Sequence, residues 1–211
     1  MILEALYQQY QGLEVIHAAY FEFAFFTGMR PSEMLALRWE DVDFPSRYAR
    51  VSKARSKGRL NHRTKVAEVR DVLLNERALH ALQTVKPYTY LAGECIFTSP
   101  RNLDEAFKTE KSQRNIFTRM LKKLGIRHRK AYNTRHTYAT MLLMAGVNVQ
   151  FVANQLGHSP VMTQTVYAKW ISGDADRAEM KKLDVAVIPS EIKIGAKLAQ
   201  ASTTDRQLID F

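Results

Sequence analysis

Cysteine is almost missing from this chain: Cys95 is the only one in 211 residues. A single thiol excludes an internal disulfide framework and any cysteine-based metal cluster, and it makes a reducing cytosol the expected compartment. Long apolar runs are missing too. The stretch from Ala18 to Phe26 is broken by Glu22 and falls short of the roughly 18 residues needed to span a bilayer. The opening MILEALYQQY has no basic segment ahead of an apolar one, so it does not read as a signal peptide. A cytoplasmic chain with no membrane partner is the expectation. There is no GxxxxGK[ST] loop to cradle a nucleotide, no paired carboxylates and no histidine cluster at metal-ligand spacing, so neither ATP, nor a metal, nor another cofactor is expected. Acidic residues are in deficit: 21 Asp and Glu stand against 31 Lys and Arg, for a net charge of +10 and a pI near 9.7. Such a field attracts polyanions, of which nucleic acid is the commonest, although a merely basic surface would give the same sum.

What remains is ordinary for a globular protein, with 46% hydrophobic and 25% charged residues. The length suits one domain, or one domain with an extra arm. LEVIHAAYFEFAFF, Leu13 to Phe26, is apolar all round and reads as a buried helix ended by Thr27-Gly28. Arg30 then precedes Pro31, which is suited to the first position of a helix over PSEMLALRW. A residue before proline is pushed toward extended geometry, so Arg30 sits at a corner. Tyr48 to Lys53 and Glu68 to Leu74 alternate like strands. The segment between them is rich in Lys and Arg and reads as the tip of a basic hairpin, with Lys53, Arg55, Lys57, Arg59 and Arg63 as candidates to lie along a phosphate backbone. Asn75 caps a helix over Glu76 to Val85 that Pro87 should stop, Glu94 to Thr98 reads as a short strand, and Arg101 to Lys111 shows little pattern. A helix over Ser112 to Leu124 follows. Short helices then begin at Asn133 or Thr134, after Asn148 and after Ser159, with Gly146 and Gly157 as stops. The fold class is mainly α with a small antiparallel β-sheet (α+β). No internal repeat or low-complexity tract appears.

The chemistry concentrates between Arg129 and Trp170. Arg135 falls in the first turn of its helix, where free N–H groups and the dipole already favour an anion, and its fork can bind two phosphate oxygens. His158 lies between a helix stop and a helix start. Tyr167 follows nine residues later. In one straight helix that spacing would put the two on opposite sides, but Gly157 and Pro160 forbid one, so they can converge. Tyrosine is a weak nucleophile with a pKa near 10. An arginine, a histidine and a tyrosine placed at helix ends and corners suggest a site that grips phosphate.

These segments resemble the tyrosine recombinases, the phage integrase family of site-specific DNA recombinases. The matching boxes are TGMRPSEMLALRWEDVDF (Thr27 to Phe44), RTKVAEVRDVLL (Arg63 to Leu74), YNTRHTYAT, LGHS and TVYAKW. Together they cover roughly Leu13 to Ser172, in the family's order and spacing. The resemblance implies the catalytic fold of these DNA breaking-rejoining enzymes and cleavage of duplex DNA through a covalent 3′-phosphotyrosyl intermediate. Tyr167 is then the nucleophile, Arg30 and Arg135 clamp the scissile phosphate, His158 hydrogen-bonds it, and Lys65 protonates the 5′-oxygen leaving group. The family's box normally has a histidine where this chain has Tyr132, which can donate a hydrogen bond but is no near-neutral acid–base group. Glu33, His136 and Thr137 also match, with packing and supporting roles expected.

The resemblance implies double-stranded DNA as partner, self-association into a tetrameric synapse, and accessory DNA-bending proteins, in a nucleoid-associated setting. It divides the chain into a catalytic domain, residues 1–173, and a C-terminal helix and tail, residues 174–211. The apolar beads of that tail suit packing on a neighbouring protomer or folding back in cis. Since the first box begins near residue 27, the family's N-terminal DNA clamp is expected to be absent, as in an isolated catalytic domain. Two other readings are a type IB topoisomerase-like enzyme, which would relax supercoiled plasmid without a site requirement, and a non-catalytic DNA-binding remnant. The remnant should have lost the nucleophile or an arginine, and this chain has kept them.

Overall fold

The computed structural model describes residues 1–56, 58–61 and 69–171. The chain opens with α1 (Ile2–Gln9), which buries Leu6, and then enters α2 (Val15–Thr27), the helix around which the rest packs. Every turn of α2 carries a large apolar or small residue, and Ile16, Ala18, Ala19, Tyr20, Phe21, Phe23 and Ala24 are all buried. A helix apolar on all sides has to be enclosed; here α1, α4 and α6 lie against it. The buried Glu22 is tolerated because Arg77, His80 and the Tyr7 hydroxyl meet its carboxylate. Gly28 ends α2 at φ 61, the left-handed conformation expected of it.

After Arg30, whose ψ of 144 is extended as its proline neighbour dictates, α3 (Pro31–Met34) is one turn long. This corrects the helix expected over PSEMLALRW. Leu35, Ala36 and Leu37 are all buried, and the chain unwinds so that Leu37 O can accept from Ile96 N and Trp39 N can donate to Glu94 O. Those two bonds would be impossible from inside a helix.

Strand β1 (Val42–Asp43) pairs with β2 (Tyr48–Val51). The chain then turns away into a small ribbon, β3 (Ala54–Ser56) and β4 (Arg59–Asn61), before β5 (Arg70–Leu73) returns to β2. The expected hairpin exists, with register Tyr48↔Leu73 to Val51↔Arg70, but its basic end forms a separate two-stranded ribbon rather than a loop. That ribbon rests on the first helical corner through Arg55 Nε, which donates to Leu35 O at 3.2 Å.

Helix α4 (Glu76–Thr89) is capped by Asn75, whose side chain accepts from Ala78 N at 2.9 Å. It does not stop before Pro87, contrary to expectation. The missing donor costs one backbone bond, while Val85 and Thr89 are both fully buried and hold the last turn against the core. Strand β6 (Thr98–Ser99) pairs with β7 (Asn102–Ala106), so the expected strand starts later, and the segment after it supplies its partner despite showing little pattern in the sequence. Residues 94–96 instead form a single bridge, Arg38↔Cys95.

The remaining helices follow expectation closely: α5 (Lys111–Lys123), α6 (Asn133–Met144), α7 (Val149–Leu156) and α8 (Pro160–Ile171). Asn148 accepts from Gln150 N and Phe151 N, Gly157 ends α7 at φ 62, and Ser159 Oγ accepts from Met162 N at 3.2 Å. Helix α5 faces the core with Ile116, Phe117, Met120 and Leu121, and Phe117 stacks on Phe21 at 5.1 Å between ring centroids. Met1–Trp170 form one compact unit. The helix and tail expected after Gly173 lie outside the described residues. Among the described residues, no helix is long and apolar enough to cross a membrane.

Candidate active site

The C-terminal end of α7 is where distant parts of the chain meet. A helix leaves its last four carbonyls without intrahelical partners, and its dipole makes that end negative. Here three consecutive carbonyls are met by three guanidinium groups. Arg70 Nε donates to Gln155 O at 3.0 Å, Arg135 Nη2 donates to Leu156 O, and Arg30 Nη2 donates to Gly157 O at 3.3 Å. The left-handed turn at Gly157 fans these carbonyls outward. The three cations come from a strand, a helix and a corner that are far apart in sequence.

Arg135 is the most enclosed of the three, 1% exposed. Its Nη1 donates to Gly28 O at 2.7 Å, so one side chain ties the α2 corner to the α7 corner. Its Nη2 also lies 2.8 Å from His158 Nε2. Burial lowers its pKa to about 10, with Arg30 adding repulsion, so it remains a cation at neutral pH. Its Nη2 hydrogens are taken by Leu156 and His158. Its Nε has no hydrogen-bond partner among the described residues.

His158 complements it. Burial and then Arg135, Arg30, Arg70 and His136 push its pKa down to about 4, so the ring is neutral at pH 7. Arg135 can only donate, so His158 Nε2 accepts and the ring proton must reside on Nδ1. That nitrogen is buried and also lacks a partner among the described residues. Arg135 Nε and His158 Nδ1 are therefore two unpaired donors on adjoining side chains, which is the chemistry that receives an anion.

Arg30 is held by Glu33. The Arg30 Nη1 and backbone N donate to opposite carboxylate oxygens, each at 2.8 Å. Arg70 grips the same carboxylate through Nη1 at 3.0 Å and Nη2 at 2.8 Å. Burial alone would raise the Glu33 pKa, but these bonds overcome it and bring it to about 2. Three guanidinium groups against one carboxylate leave the corner positive. Arg30 also lines a cleft of about 530 Å³ with Arg55, Lys111, Arg114 and Tyr132.

Tyr167, on α8, is 2% exposed. Its hydroxyl lies 2.9 Å from His136 Nδ1 on α6. Burial raises the phenol pKa, partly offset by Arg135. Tyr132 stands one turn before His136 and packs edge-on against its ring at 5.6 Å. Thus the structure gathers Arg30, Arg135 and His158 directly, with Tyr132 and Tyr167 joined through His136. Lys65, Lys57 and Arg63 lie outside the described residues. Of the other basic candidates, Arg55 lines the cleft, Arg59 is exposed on β4, and Lys53 is paired with Glu40 at 3.0 Å and Asp41 at 3.5 Å.

Several residues of the site were not legible in advance. Arg70 lies within a matching box that assigns it no role, and nothing in strand alternation marks a residue whose partners are on a helix. Lys111 and Arg114 are one turn apart at the start of α5, a spacing that could have flagged them. His136 was expected only to support. Among the described residues, no three His, Cys, Asp or Glu side chains group as a metal site.

The chain is similar to known proteins over most of its length. The prophage integrase IntR of Escherichia coli K12 is 32% identical over 173 residues, covering 71% of this chain and 42% of IntR. The tyrosine recombinase XerC of Neisseria meningitidis serogroup C (strain ATCC 700532) is 30% identical over 163 residues, covering 74% of this chain and 48% of XerC. Among solved structures, the Tn1549 transposon integrase in complex with transposon right end DNA superposes with a TM-score of 0.69 at 25% identity, over 86% of this chain and 62% of that one. The chain therefore spans less than half the length of these two curated relatives. The model of the phage integrase family matches residues 2–171, and with the tyrosine recombinase catalytic fold in place the chain belongs to the phage integrase family.

Proposed function

We propose that this chain is the catalytic domain of a site-specific DNA recombinase that cleaves and rejoins duplex DNA through a 3′-phosphotyrosyl intermediate. The observation that carries the reading is the corner at the end of α7, where Arg30, Arg135 and neutral His158 converge while Tyr167 is held on the adjoining helix. The scissile phosphate sits at this corner. Arg135 Nε and His158 Nδ1 donate to its oxygens, and Arg30, oriented by Glu33, neutralises charge from the side of the basic cleft. Tyr167 Oη attacks phosphorus and displaces the 5′-oxygen, which Lys65 protonates; Tyr132 donates a hydrogen bond at the edge of the site. The phosphodiester energy is conserved in the phosphotyrosine, so rejoining a different strand needs no ATP and no metal.

The partner is duplex DNA, drawn by the net charge of +10 and bound along the cleft that Arg55, Lys111 and Arg114 line. The relatives' names and the DNA in the Tn1549 complex support that choice. Residues 1–173 form the catalytic domain and 174–211 a tail that packs on a neighbouring protomer in a tetrameric synapse, helped by accessory DNA-bending proteins. The setting is the cytoplasmic nucleoid.

The test is covalent capture. The chain is incubated with a randomised pool of nicked duplex DNA, and protein-linked DNA is recovered from a denaturing gel. Wild type should form an adduct and Tyr167→Phe none. An adduct that survives Tyr167→Phe, or none from wild type, would reject the mechanism.

A further inference from the structure

A phenol becomes a competent nucleophile only as its proton leaves, and some group must accept that proton. The Tyr167 hydroxyl is within hydrogen-bond distance of one ring nitrogen, His136 Nδ1 at 2.9 Å, with the two rings tilted at 56° and 5.9 Å between centroids. His158 is unsuited to the task. Its Nε2 is engaged by Arg135, so its lone pair is spent and its Nδ1 carries the proton. Tyr132 offers only another phenol. It packs edge-on against His136 at 70° and so helps to fix the imidazole plane. Positions 132 and 136 are one helical turn apart and so share a face.

We propose that His136 is the general base of strand cleavage. This rests on the recombinase reading above and adds a residue to it. As Tyr167 Oη forms its bond to phosphorus, the hydroxyl proton moves to His136 Nδ1 and the P–O5′ bond breaks, the 5′-oxygen taking its proton from the separate acid. In the rejoining step an incoming 5′-hydroxyl attacks the phosphotyrosine and gives its proton back to the conjugate base of that separate acid, the P–Oη bond breaks, and the His136 imidazolium returns its proton to the phenolate. Protons and electron pairs balance with no further reactant. His136 is placed to begin each cycle neutral, because partial burial of its ring and the adjoining Arg135 hold its pKa below the usual imidazole value.

The DNA captured from the randomised pool supplies the substrate, prepared with an ordinary 5′-oxygen or a bridging 5′-sulfur at the cleaved bond. Sulfur leaves without a proton, so a missing acid is rescued by it and a missing base is not. His136→Asn retains an acceptor oxygen close to the Nδ1 position but cannot take a proton. The expected result is that His136→Asn and His136→Ala slow adduct formation equally, by about 10²–10⁴-fold, on both substrates, with DNA binding unchanged and the protein still folded. Recovery of His136→Asn to within about threefold of wild type would show that the residue only positions Tyr167, and rescue by sulfur would make it an acid instead; either overturns the proposal. A readout independent of turnover guards against misfolding: nitrogen NMR of wild type should show His136 Nδ1 as an unprotonated acceptor that shifts in Tyr167→Phe. No shift would also overturn it. Absence of any adduct from wild type would sink the recombinase reading first, and this inference with it.

Discussion

In the proposed mechanism Arg135 serves both the fold and the reaction with a single side chain. It bonds Gly28 O, Leu156 O and His158 together, and these contacts orient the Nε–H that remains. A lysine has the charge but no planar fork, and it cannot reach three acceptors at once. Arg135→Lys should therefore lose both stability, by about 3 kcal/mol from broken charge-assisted bonds, and adduct formation. Tyr167→Phe is the contrasting case. It removes one hydrogen bond to an exposed histidine and should cost about 1 kcal/mol or less while abolishing the adduct. Urea melts of the two variants, run beside the covalent-capture assay, separate the residue that builds the site from the residue that reacts. The suitability of Arg135 for an anion was readable from helix-start chemistry, and the corner at Arg30 from its proline neighbour, while the pairing of the two came from the family resemblance. The partners were not, because Arg30 meets Gly157 across 127 positions and Arg135 meets Gly28 across 107.

At the scale of elements, the site depends on where helices end. Gly28 and Gly157 are both left-handed, and each presents carbonyls that a guanidinium takes up. A Cβ added at Gly28 would lie 2.5 Å from Tyr138 Cδ1 and 2.9 Å from Leu156 Cδ2, at a φ of +61. Gly28→Ala should therefore cost about 2–4 kcal/mol, combining left-handed strain with overpacking, and displace the carbonyl that holds Arg135. Gly125 has a φ of +65, but a Cβ added there would meet nothing within 4 Å, so Gly125→Ala should cost only about 1 kcal/mol. Thermal melts of the pair check the difference, and reduced adduct formation is expected only for Gly28→Ala. The caps at Asn75, Asn148 and Ser159 and the stops at Gly28 and Gly157 were legible because such signals act within three or four residues. The extension of α4 through Pro87 and the unwinding after α3 were not, because buried Thr89 and the pairing of Leu37 with Ile96 overrule local preference.

For the molecule as a whole, the positive corner makes stability depend on pH. The Glu33 carboxyl has its pKa brought from an ordinary value of 4.5 to about 2 in the folded protein. Its contribution is complete above the unfolded pKa and is lost as pH falls toward the folded one, an effect on the order of 3 kcal/mol for this 4%-exposed residue. His158 acts in the same direction. Its pKa falls from 6.5 to about 4, so the unfolded chain binds a proton first and stability declines between those values. Urea unfolding at pH 7, 5 and 3 should therefore show a progressive loss, and Glu33→Gln, already destabilised at pH 7, should show a smaller change between pH 5 and 3. A flat profile in wild type would contradict the ion network at Glu33.

The sequence by itself determined the basic charge, the all-apolar α2, the helix caps and stops, and the ordered boxes that carry the family, because each depends on composition or on residues close together in the chain. Only the tertiary structure decided that Arg70, Arg135 and Arg30 take the consecutive carbonyls of Gln155, Leu156 and Gly157, that His158 keeps its proton on Nδ1, and that His136 holds the Tyr167 hydroxyl. Those are hydrogen bonds of specific direction between segments far apart in sequence. They exist only once the core around α2 has closed and fixed where each helix ends.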